Sequence, residues 1–339
     1  MHQIPPRRTS ALFPLSVICA GAGALALLGC RGTTPSAPPV PAGQLSGTLT
    51  IFHAGSLAVP FREVSALFQQ QHPGVVVQAE AAGSRDSARK ISDLKRPCDV
   101  FGSADDQVTE TLLMPEYADF NIRFATNEMA IGYTEKSRAA GEISAKNWPQ
   151  VLSREEVLLG RADPERDPCG YRTLMTLQLA EKHYRLPGLA KQLEAKGGQR
   201  FLRPKETDLL ALLESGEVDY IFIYRSVCVQ HGLKYVPLPP EVNLGKPELA
   251  ELYKTVSVRV TGKKPGEYLT MTGAPMVYSV TIPKDAPNRP AAEAWVALLL
   301  APEGQEIMKK NGQPVFAPAL TDQLDQLPAL LQPLCSRGK

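Results

Sequence analysis

The chain has 339 residues, 43% of them apolar, 21% charged and 6% aromatic, which excludes a disordered or collagen-like polymer and allows about two domains. It holds 37 Lys and Arg against 35 Asp and Glu, and Arg7 and Arg8 fall in a leader, so the remainder carries as many basic as acidic residues. That balance gives no reason to expect a nucleic-acid partner or a polybasic membrane patch.

Residues 1–10 carry two arginines and no acid, and residues 11–29 form an uncharged apolar run that stops at Cys30. A charged start followed by an apolar stretch is the pattern of a secretory signal, although nineteen such residues are also long enough for an uncleaved anchor. The run is rich in Gly and Ala and ends Leu27-Leu28-Gly29-Cys30, which resembles the bacterial lipoprotein cleavage box, where the cysteine is lipidated and becomes the new N-terminus. Residues 1–30 are therefore expected to be a lipoprotein signal peptide, and the Pro/Gly/Ser/Thr-rich residues 31–47 a flexible tether with little to bury. The expected location is the membrane, through a lipid anchor, facing the periplasm or extracellular side. Four cysteines remain in the body, Cys98, Cys169, Cys228 and Cys335, too widely spaced for a CxxC pattern. Export permits a disulfide, their three pairings cannot be ranked, and buried free thiols are equally open for Cys98 and Cys228.

A strand, a small polar residue and a helix then recur three times. Residues 48–56 (TLTIFHAGS) end at Gly55-Ser56 and are followed by Leu57, Phe61, Val64 and Phe68 at helical spacing until His72-Pro73-Gly74. Residues 75–84 (VVVQAEAAGS) lead into Ala88 and Ile91, and residues 98–103 (CDVFGS) into Ala104, Val108 and Leu112. This alternation predicts a parallel sheet covered by helices, with a ligand outside the strand ends where the helix starts at Ser56, Ser84 and Ser103 converge. The second half continues with the strands NEMAIGY and VLLG, a helix over residues 171–184, the short helix LLALLESG, and the strands VDYIFIY, KTVSVRV and PMVYSVTIP. Two helices divided at Pro302 follow. About 290 ordered residues exceed what one core usually supports, so two α/β lobes are expected.

In order, the segments FHAGSLAVPF, EAAGSRDSARKI, CDVFGSADD, FATNEMAIGYTEKS, DPCGYRTLMTLQLAE, VDYIFIYRSVCVQHGLKY and GAPMVYSVTIPKDAPN resemble the tungstate/molybdate-binding proteins of ABC importers, in particular their archaeal-type subgroup. The ending VALLLAPEGQEIMKKNGQPV resembles substrate-binding proteins more widely, and the likeness spans about residues 48 to 316. It implies a two-lobed, type II periplasmic-binding-protein-like fold. Lobe I would take residues 48–130 plus 275–339 and lobe II residues 131–274, hinged through FATNEMAIGY and GAPMVYSV. It further implies a monomeric receptor that is no enzyme, needs no cofactor, and passes the oxyanion to an ABC permease and ATPase.

A tetrahedral dianion must lose its water on binding, so its site needs many inward-pointing donors, which helix N-termini and serine hydroxyls supply. Ser56 and Ser84 match the two serines that hold the oxyanion in this family, although each is also placed as an N-cap would be. Ser103 reads as an N-cap. Tyr224 matches a tyrosine whose hydroxyl contacts the anion, and Cys169 and Gly170 come with Asp167 in DPCGYR. A bare carboxylate about 4 Å from a dianion, at an effective dielectric near 20, costs roughly 8 kcal/mol. Asp167 therefore belongs in the site only if it bonds tungsten or molybdenum itself, as the resemblance to the subgroup implies; otherwise it is an N-cap or turn residue before Pro168. The second coordinating carboxylate of the subgroup is a glutamate, expected near VDYIFIYRS, but Ile223 stands at its plausible position and no acid occurs between Tyr220 and Gln230. Glu217 and Asp219 lie just upstream, and if neither reaches the site the anion stays tetrahedral. Arg85 and Arg172 flank the site and are expected on solvated helix surfaces.

Enzyme signatures are missing. His53, His72, His183 and His231 form no HExxH, and the chain has no GxSxG, GxGxxG or GxxxxGK[ST]. Asp163, Glu165 and Asp167 alternate like a calcium loop, but Pro168 and Leu174 occupy the positions that need Gly and Glu. A receptor for sulfate, phosphate or a ferric complex, or an exported sensory or enzymatic protein on the same scaffold, stays open as an alternative.

Overall fold

The structure, a computed structural model, describes residues 44–264 and 266–338. The leader, Cys30 and residues 31–43 of the expected tether lie outside the described residues.

Strands β1 (Ser46–Ala54), β2 (Gly74–Ala82), β3 (Val100–Ser103) and β4 (Ile122–Thr126) enter one sheet. Strands β5 (Met129–Tyr133), β6 (Leu159–Ala162), β7 (Leu202–Arg203), β8 (Tyr220–Tyr224) and β9 (Lys234–Pro237) build a second, five-stranded sheet in the order β7-β6-β8-β5-β9. A separate hairpin, β10 (Ser257–Thr261) and β11 (Tyr268–Thr272), follows. The chain then returns to the first sheet as β12 (Val277–Thr281), β13 (Val315–Thr321) and β14 (Cys335–Arg337), completing seven strands in the order β14-β13-β4-β12-β3-β1-β2.

Both sheets are mixed rather than parallel. The three strand–helix repeats do give parallel pairs, β2 with β1 and β1 with β3. However, β12 runs antiparallel to both β3 and β4, and β5 antiparallel to β8 and β9. The reason lies in the two crossings, at Asn127-Glu128 from β4 to β5 and at residues 273–276 from the hairpin to β12. A strand that arrives across such a crossing begins at the facing edge and runs away from it, opposite to the strands that end there.

Local patterning accounts for the elements around the facing edges. The helix Ala58–Gln71 buries Pro60, Phe61, Val64 and Phe68 along one stripe. Phe61 packs edge-on against Trp295 at 4.8 Å between ring centroids, and burying each such ring contributes about 1.5–3 kcal/mol. Ala301 is extended (ψ 165°) and Pro302 cannot donate, so the C-terminal helices Arg289–Leu300 and Pro302–Lys310 stay separate. No helix among the described residues is long and apolar enough to cross a membrane. Cys98, Cys169, Cys228 and Cys335 are all free and buried.

Candidate functional site

The C-terminal ends of β1 and β2 meet the loops after β6 and β7. Two glycines allow that approach. A Cβ on Gly55 would lie 2.7 Å from Glu206 Oε2, and one on Gly83 would collide with the Arg166 carbonyl and lie 2.9 Å from the Pro204 carbonyl. The serine that follows each glycine is therefore pressed against the opposite sheet's loops, and both Ser56 and Ser84 are fully buried.

Neither hydroxyl caps its own helix. Ser56 Oγ is 2.8 Å from the Tyr278 hydroxyl, and Ser84 Oγ accepts the Ala104 N–H at 3.0 Å. Ser103 is spent on its own turn, donating to the Asp105 carbonyl at 2.6 Å and accepting the Asp105 N–H at 3.1 Å.

Asp167 opens the helix Pro168–Tyr184, whose first residue is a proline that needs no acceptor. Its Oδ1 accepts the Cys169 N–H at 2.7 Å as an N-cap, while its Oδ2 accepts the Glu206 N–H at 3.2 Å. The loop that leads from β7 therefore delivers a second carboxyl group to the same place. Glu206 is fully buried, its Oε1 accepts the Ser56 N–H at 2.5 Å, and its Oε2 has no partner among the described residues. Burial, and then the facing Glu206 carboxylate, hold the Asp167 carboxyl well above the usual carboxylate range. Two buried carboxyl groups and an orphan oxygen are costly to assemble unless a ligand shares them.

Glu206 was not among the sequence candidates. Glu217 instead lies exposed in the turn before β8, at the end of that strand remote from Tyr224. Asp219 is occupied with the backbone of Arg138 and Leu158 and the Arg138 guanidinium. In sequence, Glu206 reads as an ordinary acid before the helix LLALLES, and only its position two residues after Pro204 hinted at a fixed loop.

Tyr224 is fully buried at the end of β8, and its hydroxyl accepts from Arg172 Nη1 at 3.3 Å. Burial raises its phenol well above the ordinary value. Arg85 and Arg172, expected on solvated surfaces, are buried instead, because both point into the contact between the two halves. Arg172 donates to the Ala104 carbonyl at 2.5 Å and pairs with Asp105 at 3.0 Å. Burial alone would lower the Arg172 guanidinium, but Asp105 and the tyrosines around it more than offset this and keep it charged. Cys169 turns its thiol away, toward the Phe222 carbonyl at 3.6 Å. Gly170 lets the helix start pack directly on the backbone of Asp163 and Pro164, where a Cβ would overlap both.

Further contacts join the two sides. Asp86 pairs with Arg166 at 2.6 Å, Arg89 donates to Thr261 Oγ1 at 2.7 Å, and Gln230 donates to the Ser56 carbonyl at 3.2 Å. Among the described residues, no group of three or more His, Cys, Asp or Glu is arranged to hold a metal ion. The site offers instead two carboxyl groups, two serine hydroxyls and a tyrosine hydroxyl.

Residues 49–313 match the family of bacterial extracellular solute-binding proteins. This chain belongs to that family. The solute-binding protein is 48% identical over 295 residues to an uncharacterized solute-binding protein of Petrotoga mobilis, covering 87% of this chain and 92% of that one. It is 39% identical over 320 residues to the molybdate/tungstate-binding protein WtpA of Pyrococcus abyssi, covering 86% and 90%. Among solved structures, the Azotobacter vinelandii periplasmic molybdate-binding protein superposes with a TM-score of 0.57 at 18% identity, covering 78% of this chain and 98% of that one. The sulfate-binding protein SubI from Mycobacterium tuberculosis gives 0.55 at 12% identity, covering 85% and 89%. These last two likenesses concern the fold alone. As a member of a family of solute receptors, this solute-binding protein is not an enzyme.

Proposed function

We propose that this protein captures tungstate or molybdate between two lobes and delivers the anion to the permease and ATPase of an ABC importer. The observation that carries the reading is the buried Asp167–Glu206 pair beside Ser56. Neutral donors suit any tetrahedral dianion. Two carboxylates suit only one whose central atom accepts further oxygens, which tungsten and molybdenum do and sulfur does not. Ser56, Ser84 and Tyr224 then hold the oxo groups, and Asp167 with Glu206 bonds the metal. The metal is cargo here, not a resident cofactor. The 39% identity to a molybdate/tungstate-binding protein supports the same ligand class.

Residues 48–130 with 275–339 form the first lobe in this reading, and residues 131–274 the second. The lobes hinge at the two crossings and close on the anion, and the protein acts as a monomer. The Leu-Leu-Gly-Cys sequence and the proline-rich stretch after it support a lipid anchor at Cys30 that keeps the receptor beside its permease.

Calorimetric titration with tungstate, molybdate and sulfate tests the ligand class. The first two are expected to bind and sulfate to bind far more weakly; equal affinity for sulfate would overturn the reading. In the same assay Ser56→Ala is expected to weaken tungstate binding by about 10- to 150-fold, the loss of one hydrogen bond to a charged group worth roughly 1.5–3 kcal/mol. Unchanged affinity with lowered folding stability would make Ser56 a structural residue.

A further inference from the structure

We propose that Tyr278 and Asn127 are positioning residues that fix the direction of the Ser56 hydroxyl, so that its proton points only at the bound oxyanion; this rests on the oxyanion reading of the site. Asn127 lies in the first crossing between the sheets. Its Oδ1 accepts the N–H groups of Glu128 at 3.0 Å and Ser226 at 3.3 Å, which settles the orientation of the amide. Its Nδ2 therefore faces Ser226 Oγ at 2.7 Å and the Tyr278 hydroxyl at 2.9 Å.

An amide nitrogen only donates. The Tyr278 oxygen must accept that bond, and its single proton passes to its other neighbour, Ser56 Oγ at 2.8 Å. Ser56 Oγ accepts in turn and keeps its own proton for a third partner. The Ser56 N–H is already taken by Glu206, so the hydroxyl is the donor that this serine has left. Ser56, Tyr278 and Ser226 are fully buried and Asn127 is 5% exposed, so solvent does not scramble the order. Burial also holds the Tyr278 phenol above its ordinary value and keeps it a donor.

A serine free to rotate would have to be reoriented against a dianion each time one bound. Here the orientation is set on folding, as preorganised donors are in other anion sites. The series also spans the molecule: Ser56 follows β1 of the seven-stranded sheet, and Ser226 follows β8 of the five-stranded one. It is complete only when the two sheets stand as they do here.

A double-mutant cycle tests this through calorimetric titration of Tyr278→Phe, Ser56→Ala and the double variant with tungstate. Phenylalanine keeps the ring against Phe124 and Tyr224. Tyr278→Phe is expected to bind about tenfold more weakly than wild type, the size of one hydrogen bond to a charged group, and to cause no further loss in the Ser56→Ala background. Should the phenylalanine variant fold poorly, Asn127→Asp keeps the shape but cannot donate, and the same Ser56-dependent loss is expected. Losses that add in the double variant, or full affinity in Tyr278→Phe, would overturn the proposal while leaving the oxyanion reading intact. A wild-type protein that binds neither tungstate nor molybdate would instead overturn that reading, and this proposal with it.

Discussion

Glu206→Gln is expected to lose at least about 100-fold in tungstate affinity, roughly 3 kcal/mol, while making the ligand-free protein more stable above neutral pH. Glutamine keeps the acceptor for the Ser56 N–H and places an amide where the unpartnered Oε2 now stands. It removes a negative charge beside a dianion. If Glu206 were only a nearby charge, that change would relieve repulsion of roughly 8 kcal/mol and tighten binding. A loss is expected because a carboxylate that bonds the metal has no substitute in an amide, so calorimetry decides the mechanism by sign.

The stability half follows from Asp167. Its folded-state carboxyl is raised above its unfolded value by burial and by Glu206. The native state therefore enjoys full stability below the unfolded value of about 3.9 and loses it as pH climbs through the raised one. Removing the Glu206 charge brings Asp167 back down and recovers part of that loss. The variant should melt higher than wild type at about pH 8 and no higher at about pH 4. Asp167→Asn should also lose tungstate binding but gain less stability, because its amide would face the Glu206 N–H that Oδ2 now accepts.

Gly83→Ala is expected to disable capture without unfolding either half. The added methyl would meet backbone carbonyls of Arg166 and Pro204, which belong to the opposite side and cannot rotate away as a flexible side chain would. In the proposed closure these loops would have to part, moving the residues after β2 away from those after β6 and β7. Affinity should fall by about 10- to 100-fold, a cost of roughly 1.4–2.8 kcal/mol, and scattering with tungstate should show a larger radius than wild type. Gly141→Ala, where a Cβ meets nothing within 4 Å, is the control and should match wild type. Wild-type affinity and radius in Gly83→Ala would show that the two sides need not come so close.

The features legible in the sequence were those that neighbours in the chain decide. Ser56 and Ser84 each follow a glycine at a strand end, and the spacing of Leu57, Phe61, Val64 and Phe68 drew the first helix directly. The break at Pro302 has a local cause as well, while the helix expected over residues 171–184 starts earlier, at Pro168 behind the Asp167 cap. What escaped depends on distant pairs. Glu206 reaches Ser56 across 150 residues and Tyr278 reaches it across 222, and no periodicity marks an acid or a tyrosine for such a meeting. Arg85 and Arg172 were misplaced for the same reason, since a helix face looks solvated until another element covers it. The mixed direction of the sheets depended on where the chain crosses, which strand patterns do not encode.

The four buried thiols have a consequence for how the molecule is made. Burial pushes Cys98 and Cys228 up to about 12 and Cys335 up to about 11, and raises Cys169 well above its ordinary value. The thiolate is the form that attacks disulfides and oxidants, so in the native state these sulfurs exchange slowly with either. Because Cys98, Cys169, Cys228 and Cys335 are all free in the folded state, the core waits on no thiol oxidation. The solute-binding body is therefore expected to reach the same native structure with or without a thiol reductant.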